Sequence, residues 1–221
     1  LAAALYAVSQ FTLRAQFSDL ERQDALDDAQ RAKNAISAEI NALAVDVADW
    51  AAWDDLNTFA SGRADEPLDV KMIDSTLRNL HLNLLIITSA QGRILLARSM
   101  DLSTQRGADA SPELLTSLRA SGHLTDRDAA PLGSRGVVHS AQGLLLVAAS
   151  PIRSTLGTGP TGGLLLMARI LDDTFVQRIK DVTGLELSVF SVDPGYQPAD
   201  DGRAVAERPS GADTWSRVSG S

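Results

Sequence analysis

The chain has 221 residues, enough for one large domain or two small ones with a core that forms without staples. With 44% hydrophobic and 22% charged residues it lies in the globular range, which excludes wholesale disorder and collagen-like repeats. A net charge of -8 repels phosphate backbones and argues against nucleic acid as a partner, and the absence of cysteine removes disulfides, thiolate zinc sites and cysteine nucleophiles together.

Leu1 to Val8 is an uncharged apolar run on an otherwise acidic chain. It is too short to cross a bilayer, which takes about 20 residues. Two readings stand: the outer end of a transmembrane helix covering residues 1–12, with Tyr6 as an interfacial aromatic, or a buried helical turn. The first is preferred. From Leu13 to Trp53 there is no Gly or Pro, and the stretch reads as one long helix. Leu13, Phe17 and Leu20 form one apolar phase; Leu26, Ala29, Ile36, Ile40, Leu43, Val47 and Trp50 form a second, shifted by two. Between them Glu21 to Asn34 carries seven charges, as in a helix that crosses solvent or pairs weakly with a copy of itself. Residues 13–35 therefore read as a stalk, dimeric through this helix, and 36–192 as a head.

In the head, Asp69 caps a helix with Val70, Ile73, Leu77 and Leu80 on one face. Leu82 to Thr88 and Arg93 to Ser99 flank the turn Ser89-Ala90-Gln91-Gly92 as a hairpin. Ser111 and Pro112 start a helix through Leu118 that Gly122 stops, and Gly136 to Ser140 with Leu144 to Ile152 make a second hairpin. Gly163 to Ile170 reads as a strand, Asp172 to Val182 as a helix ended by Gly184, and Leu185 to Val192 as a closing strand. The expected class is α+β: an antiparallel sheet of about five strands with flanking helices, covered on both faces. Residues 193–221, rich in Pro, Gly, Asp, Ala and Ser, read as a loop or flexible tail.

Several motifs dissolve on inspection. Gly157 to Gly162 matches G-x-G-x-x-G, but an apolar strand follows where a dinucleotide site needs a helix N-terminus. The pairs Asp27-Asp28, Asp54-Asp55, Asp172-Asp173 and Asp200-Asp201 are adjacent residues, which point about 100° apart on a helix and do not share a ligand. His81, His123 and His139 lie in separate segments without metal-ligand spacing. No catalytic residue, metal or cofactor is assigned. One cluster resists dismissal: Asp49-Trp50-Ala51-Ala52-Trp53-Asp54-Asp55, where the stalk enters the head. On a continuous helix Trp50, Trp53 and Asp54 share one side. They are then core anchors with Asp54 accepting from an indole N–H, or they contact a ligand. Arg169, at the end of an apolar strand, needs a carboxylate from Asp54 or from a ligand.

Val47 to Leu56, Asn79 to Ile87, Gly92 to Leu95 and Gly163 to Asp172 together resemble the fourth class of CHASE domains, extracellular sensory domains of bacterial signalling receptors. The resemblance covers about Ile36 to Val192. Two positions depart from the family pattern: Ala168 stands where Gly is usual before the Arg, and Asn57 or Thr58 where Tyr is often found. The resemblance implies a membrane-proximal helix feeding a PAS- or Cache-like head between two transmembrane helices. It also implies a periplasmic location at the inner membrane and a cytoplasmic diguanylate cyclase, phosphodiesterase or histidine kinase output. The expectation is a non-enzymatic sensor for an unidentified small molecule or envelope stimulus, with Trp50, Trp53, Asp54, Asn83 and Arg169 as ligand-binding candidates. Two other readings remain: a hydrolase pairing Asp54 with a second carboxylate, and a protein-interaction module without a pocket. The stalk is expected to transmit by a small shift or rotation.

Overall fold

A computed structural model describes residues 2–64, 67–124, 134–155 and 161–188, with side chains from residue 23 onward. The chain opens with one helix, α1 (Ala2–Ala51), with no break at the expected boundary between stalk and head. Its inward face runs through Ala29, Ala32, Leu43, Ala44, Val47 and Ala51, all buried. The spacing by threes and fours follows the helical period. Leu26, expected on this stripe, is 56% exposed, and the small Ala29 and Ala32 are the outermost buried positions instead.

The helix stops at Ala51, short of Trp53, although neither Gly nor Pro is near. Trp53 adopts extended backbone (φ -81°, ψ 132°) and becomes the N-cap of α2 (Asp54–Ala60). The reason is tertiary. A helix end leaves carbonyls without partners; here the Ala51 carbonyl accepts from Arg153 N–H (2.9 Å) and the Ala52 carbonyl from Thr155 Oγ1 (3.1 Å).

Local capping chemistry sets the remaining helices. In α3 (Val70–Asn79) the Asp69 carboxylate accepts from Lys71 N–H. In α4 (Pro112–Ala120) Ser111 accepts from Leu114 N–H, with Pro112 in the first turn. In α5 (Asp173–Thr183) Asp172 accepts from Phe175 N–H, and Gly184 closes the helix at φ 69°, a left-handed geometry glycine adopts without strain.

The strands are β1 (Leu84–Ser89), β2 (Ile94–Asp101), β3 (Arg106–Asp109), β4 (Ser134–Ser140), β5 (Gly143–Ile152) and β6 (Gly163–Ile170). They form one antiparallel sheet in the order β3-β2-β1-β6-β5-β4. Among the described residues six strands replace the expected five or so. The addition is β3, which has no apolar pattern and is held at the edge by Arg98. That guanidinium forks onto Asp74 of α3 (2.8 and 2.9 Å) and reaches Asp109 (3.1 Å). Gly107 makes the approach possible, since a Cβ there would lie 2.4 Å from the Asp74 carboxylate. Of the expected strand at Leu185 to Val192 only residues 185–188 are described, and they hold a single β-bridge, at Leu187, and no continuous strand. Leu185 and Leu187 instead fold back into the core as buried anchors. Residues 189–221 and most of Gly157 to Gly162 lie outside the described set.

The three central strands are buried on both faces, with strict alternation. Leu85, Ile87, Leu146, Ala148, Leu165 and Met167 face α1, α2, α3 and α5. Leu84, Ile86, Leu145, Val147, Leu164 and Leu166 face α4 and Leu124 on the other side. At about 1.5–3 kcal/mol per fully buried aliphatic side chain, these two layers dominate the stability of the fold. Among the described residues no helix is long and apolar enough to cross a membrane.

Candidate functional site

The end of β6 meets α1, α3 and α5 around one side chain. Arg169 donates from Nη1 to Glu39 Oε2 of α1 (2.9 Å), from Nη2 to the Leu80 carbonyl (3.0 Å) and from Nε to the His81 carbonyl (3.0 Å). The two carbonyls converge because the chain turns sharply after α3, with His81 in left-handed backbone (φ 53°). Arg169 therefore finds its carboxylate on Glu39, 130 positions away in sequence, and not on Asp54. Burial, then the neighbouring Arg178, pulls the Arg169 guanidinium below its ordinary value, against the opposing charges of Glu39 and Asp46. Arginine remains charged under such a shift.

Beside it, Asn83 extends the sheet with its side chain. Its Nδ2 donates to the Met100 carbonyl (3.3 Å) and its Oδ1 accepts from Ile170 N–H (2.9 Å), so one buried amide bridges β2 and β6 just before β1 begins. Asn83, Arg169 and Arg178 line a groove of about 330 Å³ that also takes in the β2–β3 loop and the first turns of α5. Its walls mix apolar Leu102, Ile170 and Phe175 with these polar groups. Arg178 lies over the Phe175 ring, 5.3 Å from its centroid. At the end of β2, Asp101 accepts from Ser103 and Thr104 of the loop, which hold its carboxyl down to about 2.

The tryptophan cluster stands elsewhere. Trp50 lies eleven residues beyond Glu39 on α1, about 16 Å farther along the helix axis. Because α1 ends at Ala51, Trp50, Trp53 and Asp54 do not share one helix face. The indoles nevertheless stack, with ring centroids 4.4 Å apart and 21° between planes, and Trp53 is 47% exposed. Asp54 accepts from Thr155 N–H (2.9 Å), and that hydrogen bond holds its carboxyl below the ordinary value. A general acid needs the opposite shift.

The five candidates thus divide: Asn83 and Arg169 share the groove, while Trp50, Trp53 and Asp54 form a corner at the other end of the contact between α1 and the sheet. Sequence reasoning missed Glu39 and Arg178. Glu39 carried a signal, being a carboxylate between Ile36, Ile40 and Leu43 on the inward stripe of α1, where a charge needs a partner. Arg178 carried none, since an arginine on an amphipathic helix is ordinarily solvated.

Comparison with known proteins agrees with this architecture. The chain matches the CHASE4 domain family over residues 35–190, from the buried part of α1 to just beyond α5. It is also 24% identical over 159 residues to the methanogenesis regulatory histidine kinase FilI of Methanothrix harundinacea (strain 6Ac), a match that covers 72% of this chain and 18% of that protein. The chain belongs to the CHASE4 domain family and is a sensory domain of signalling proteins.

Proposed function

We propose that this domain is the extracytoplasmic sensor of a membrane receptor, binding a small ligand in the groove at Arg169 and passing the change along α1 to a cytoplasmic kinase, cyclase or phosphodiesterase module. The observation that carries the reading is the junction of the groove with α1. Arg169, which lines the groove, holds Glu39 of α1, a helix that outreaches the head. At 1.5 Å per residue the 50 residues of α1 extend about 75 Å, against about 34 Å for the ten residues of β5. A helix of that length, held to the head by Arg169 at Glu39 and by the 153–155 segment at its Ala51 end, suits transmission by a small shift or rotation between two arrangements of similar energy. The similarity to a histidine kinase supports a kinase output, and the family supports a location outside the cytoplasm at the inner membrane. Pairing of two stalks completes the proposed receptor.

The test uses the full receptor. Inserting two residues near Ala29 turns everything beyond by about 200°, whereas inserting seven nearly restores the phase. The two-residue insertion is expected to change output and its response to stimulus, and the seven-residue insertion to preserve both. Unchanged behaviour in both variants would reduce α1 to a passive tether.

A further inference from the structure

We infer that the groove at the start of α5 takes a small organic carboxylate, held by Arg178 in competition with Glu39. This rests on the sensory reading above and names the ligand class of the same site. Two guanidiniums, Arg169 and Arg178, flank the Glu39 carboxylate of α1, while Asp46 of the same helix acts on Arg169 through its charge without a hydrogen bond. Glu39 gives Oε2 to Arg169 at 2.9 Å, while its Oε1 stands 3.9 Å from Arg178 Nε, too far for a hydrogen bond. The Arg178 guanidinium makes no hydrogen bond to another described residue, and its side chain is 44% exposed. Yet it is not free to wander, because it rests on the Phe175 ring. A positioned guanidinium with its hydrogen-bonding fork unused is prepared for a planar, bidentate anion.

The groove's own acid does not fill that role: Asp172 accepts from Phe175 N–H at 2.8 Å as the cap of α5. Leu102, Ile170 and Phe175 supply apolar wall next to the arginine, which suits a carbon skeleton and gives inorganic phosphate nothing to contact. A carboxylate that engages Arg178 withdraws the second cation from Glu39, so occupancy bears directly on the hold between α1 and the head.

Thermal-shift and calorimetric titrations of the 221-residue chain would use acetate, succinate and benzoate, with acetamide, succinamide and benzamide as neutral counterparts and inorganic phosphate as the non-organic anion. At least one carboxylate is expected to raise the melting temperature by mass action while its amide does not. Arg178→Gln, at a half-exposed position, should keep the fold and weaken that binding by at least about tenfold. Glu39→Gln removes the competing charge and should tighten it by at least about threefold; if that variant does not fold, Glu39→Asp, which keeps the charge but draws it back by one methylene, should tighten it in the same direction. Absence of binding by every carboxylate, a response to phosphate alone, equal affinity in Arg178→Gln, or unchanged affinity in both Glu39 variants would overturn the inference. A carboxylate that binds through Arg178 but leaves the full receptor's output unchanged would confirm the site and sink the sensory reading instead.

Discussion

The contact between α1 and the sheet is made differently at its two ends. At the groove, charged side chains do the joining: Arg169 ties Glu39 to the carbonyls that end α3, with 15% of its own side chain exposed. At the tryptophan corner the backbone does it, through the Ala51 and Ala52 carbonyls and the 153–155 segment, while Trp53 stays half in water and Trp50 packs against the edge of the core. The groove is therefore the stiffer joint, since releasing it leaves charge and carbonyls unpaired in a desolvated place. The side chains of Trp53 and Asp54 at the corner shift at smaller cost, because both are exposed and water replaces what they lose.

The comparison breaks most directly at Arg169. Arg169→Ala strands Glu39 and two carbonyls and should cost about 3 kcal/mol of stability by urea denaturation, with Arg169→Lys recovering less than half because an ammonium cannot reproduce the fork. A loss under about 1 kcal/mol would make the two ends equivalent. Asn83→Ala removes the amide that joins β2 to β6 and leaves the Met100 carbonyl and Ile170 N–H buried, for about 2 kcal/mol in the same assay. At the corner, Trp53→Ala loses one half-exposed stacking partner and should cost about 1 kcal/mol. A cost equal to that of Arg169→Ala would show the corner to be the principal anchor.

The smallest effect separates the ends by pH. Asp54 is depressed below its ordinary 3.8 by the hydrogen bond from Thr155, so the contact is fully present above that value and is lost as pH falls through the lower folded value. Tryptophan emission should stay constant from pH 7 to about 4 and change only below it. In Asp54→Asn, which still accepts from Thr155 N–H but does not titrate, the acid transition should disappear. Persistence of the same transition in that variant would assign it to another group.

Much of this molecule was legible in its residues because the forces concerned are local. The caps at Asp69, Ser111 and Asp172 and the left-handed stop at Gly184 depend on groups one to four positions apart, and each acts in the structure as its sequence spacing implies. Unbroken apolar runs such as Leu144 to Ala149 announce strands buried on both sides, and the two core layers alternate accordingly. The family resemblance rested on Val47 to Leu56, Asn79 to Ile87, Gly92 to Leu95 and Gly163 to Asp172, and it holds.

What depended on distant partners was not legible. No residue near Ala51 ends α1; the helix stops because Arg153 and Thr155, a hundred positions later, satisfy its last carbonyls. Edge strand β3 has no hydrophobic alternation and exists because Arg98 and Asp74 close over Gly107. The site shows the same limit: Arg169 signalled that it needed a carboxylate, and Glu39 that it needed a cation, but only the packing of α1 across β6 decided that they belong to each other. Periodicity and capping are set by neighbours along the chain, whereas the pairing of buried charges is set by which faces the sheet brings together.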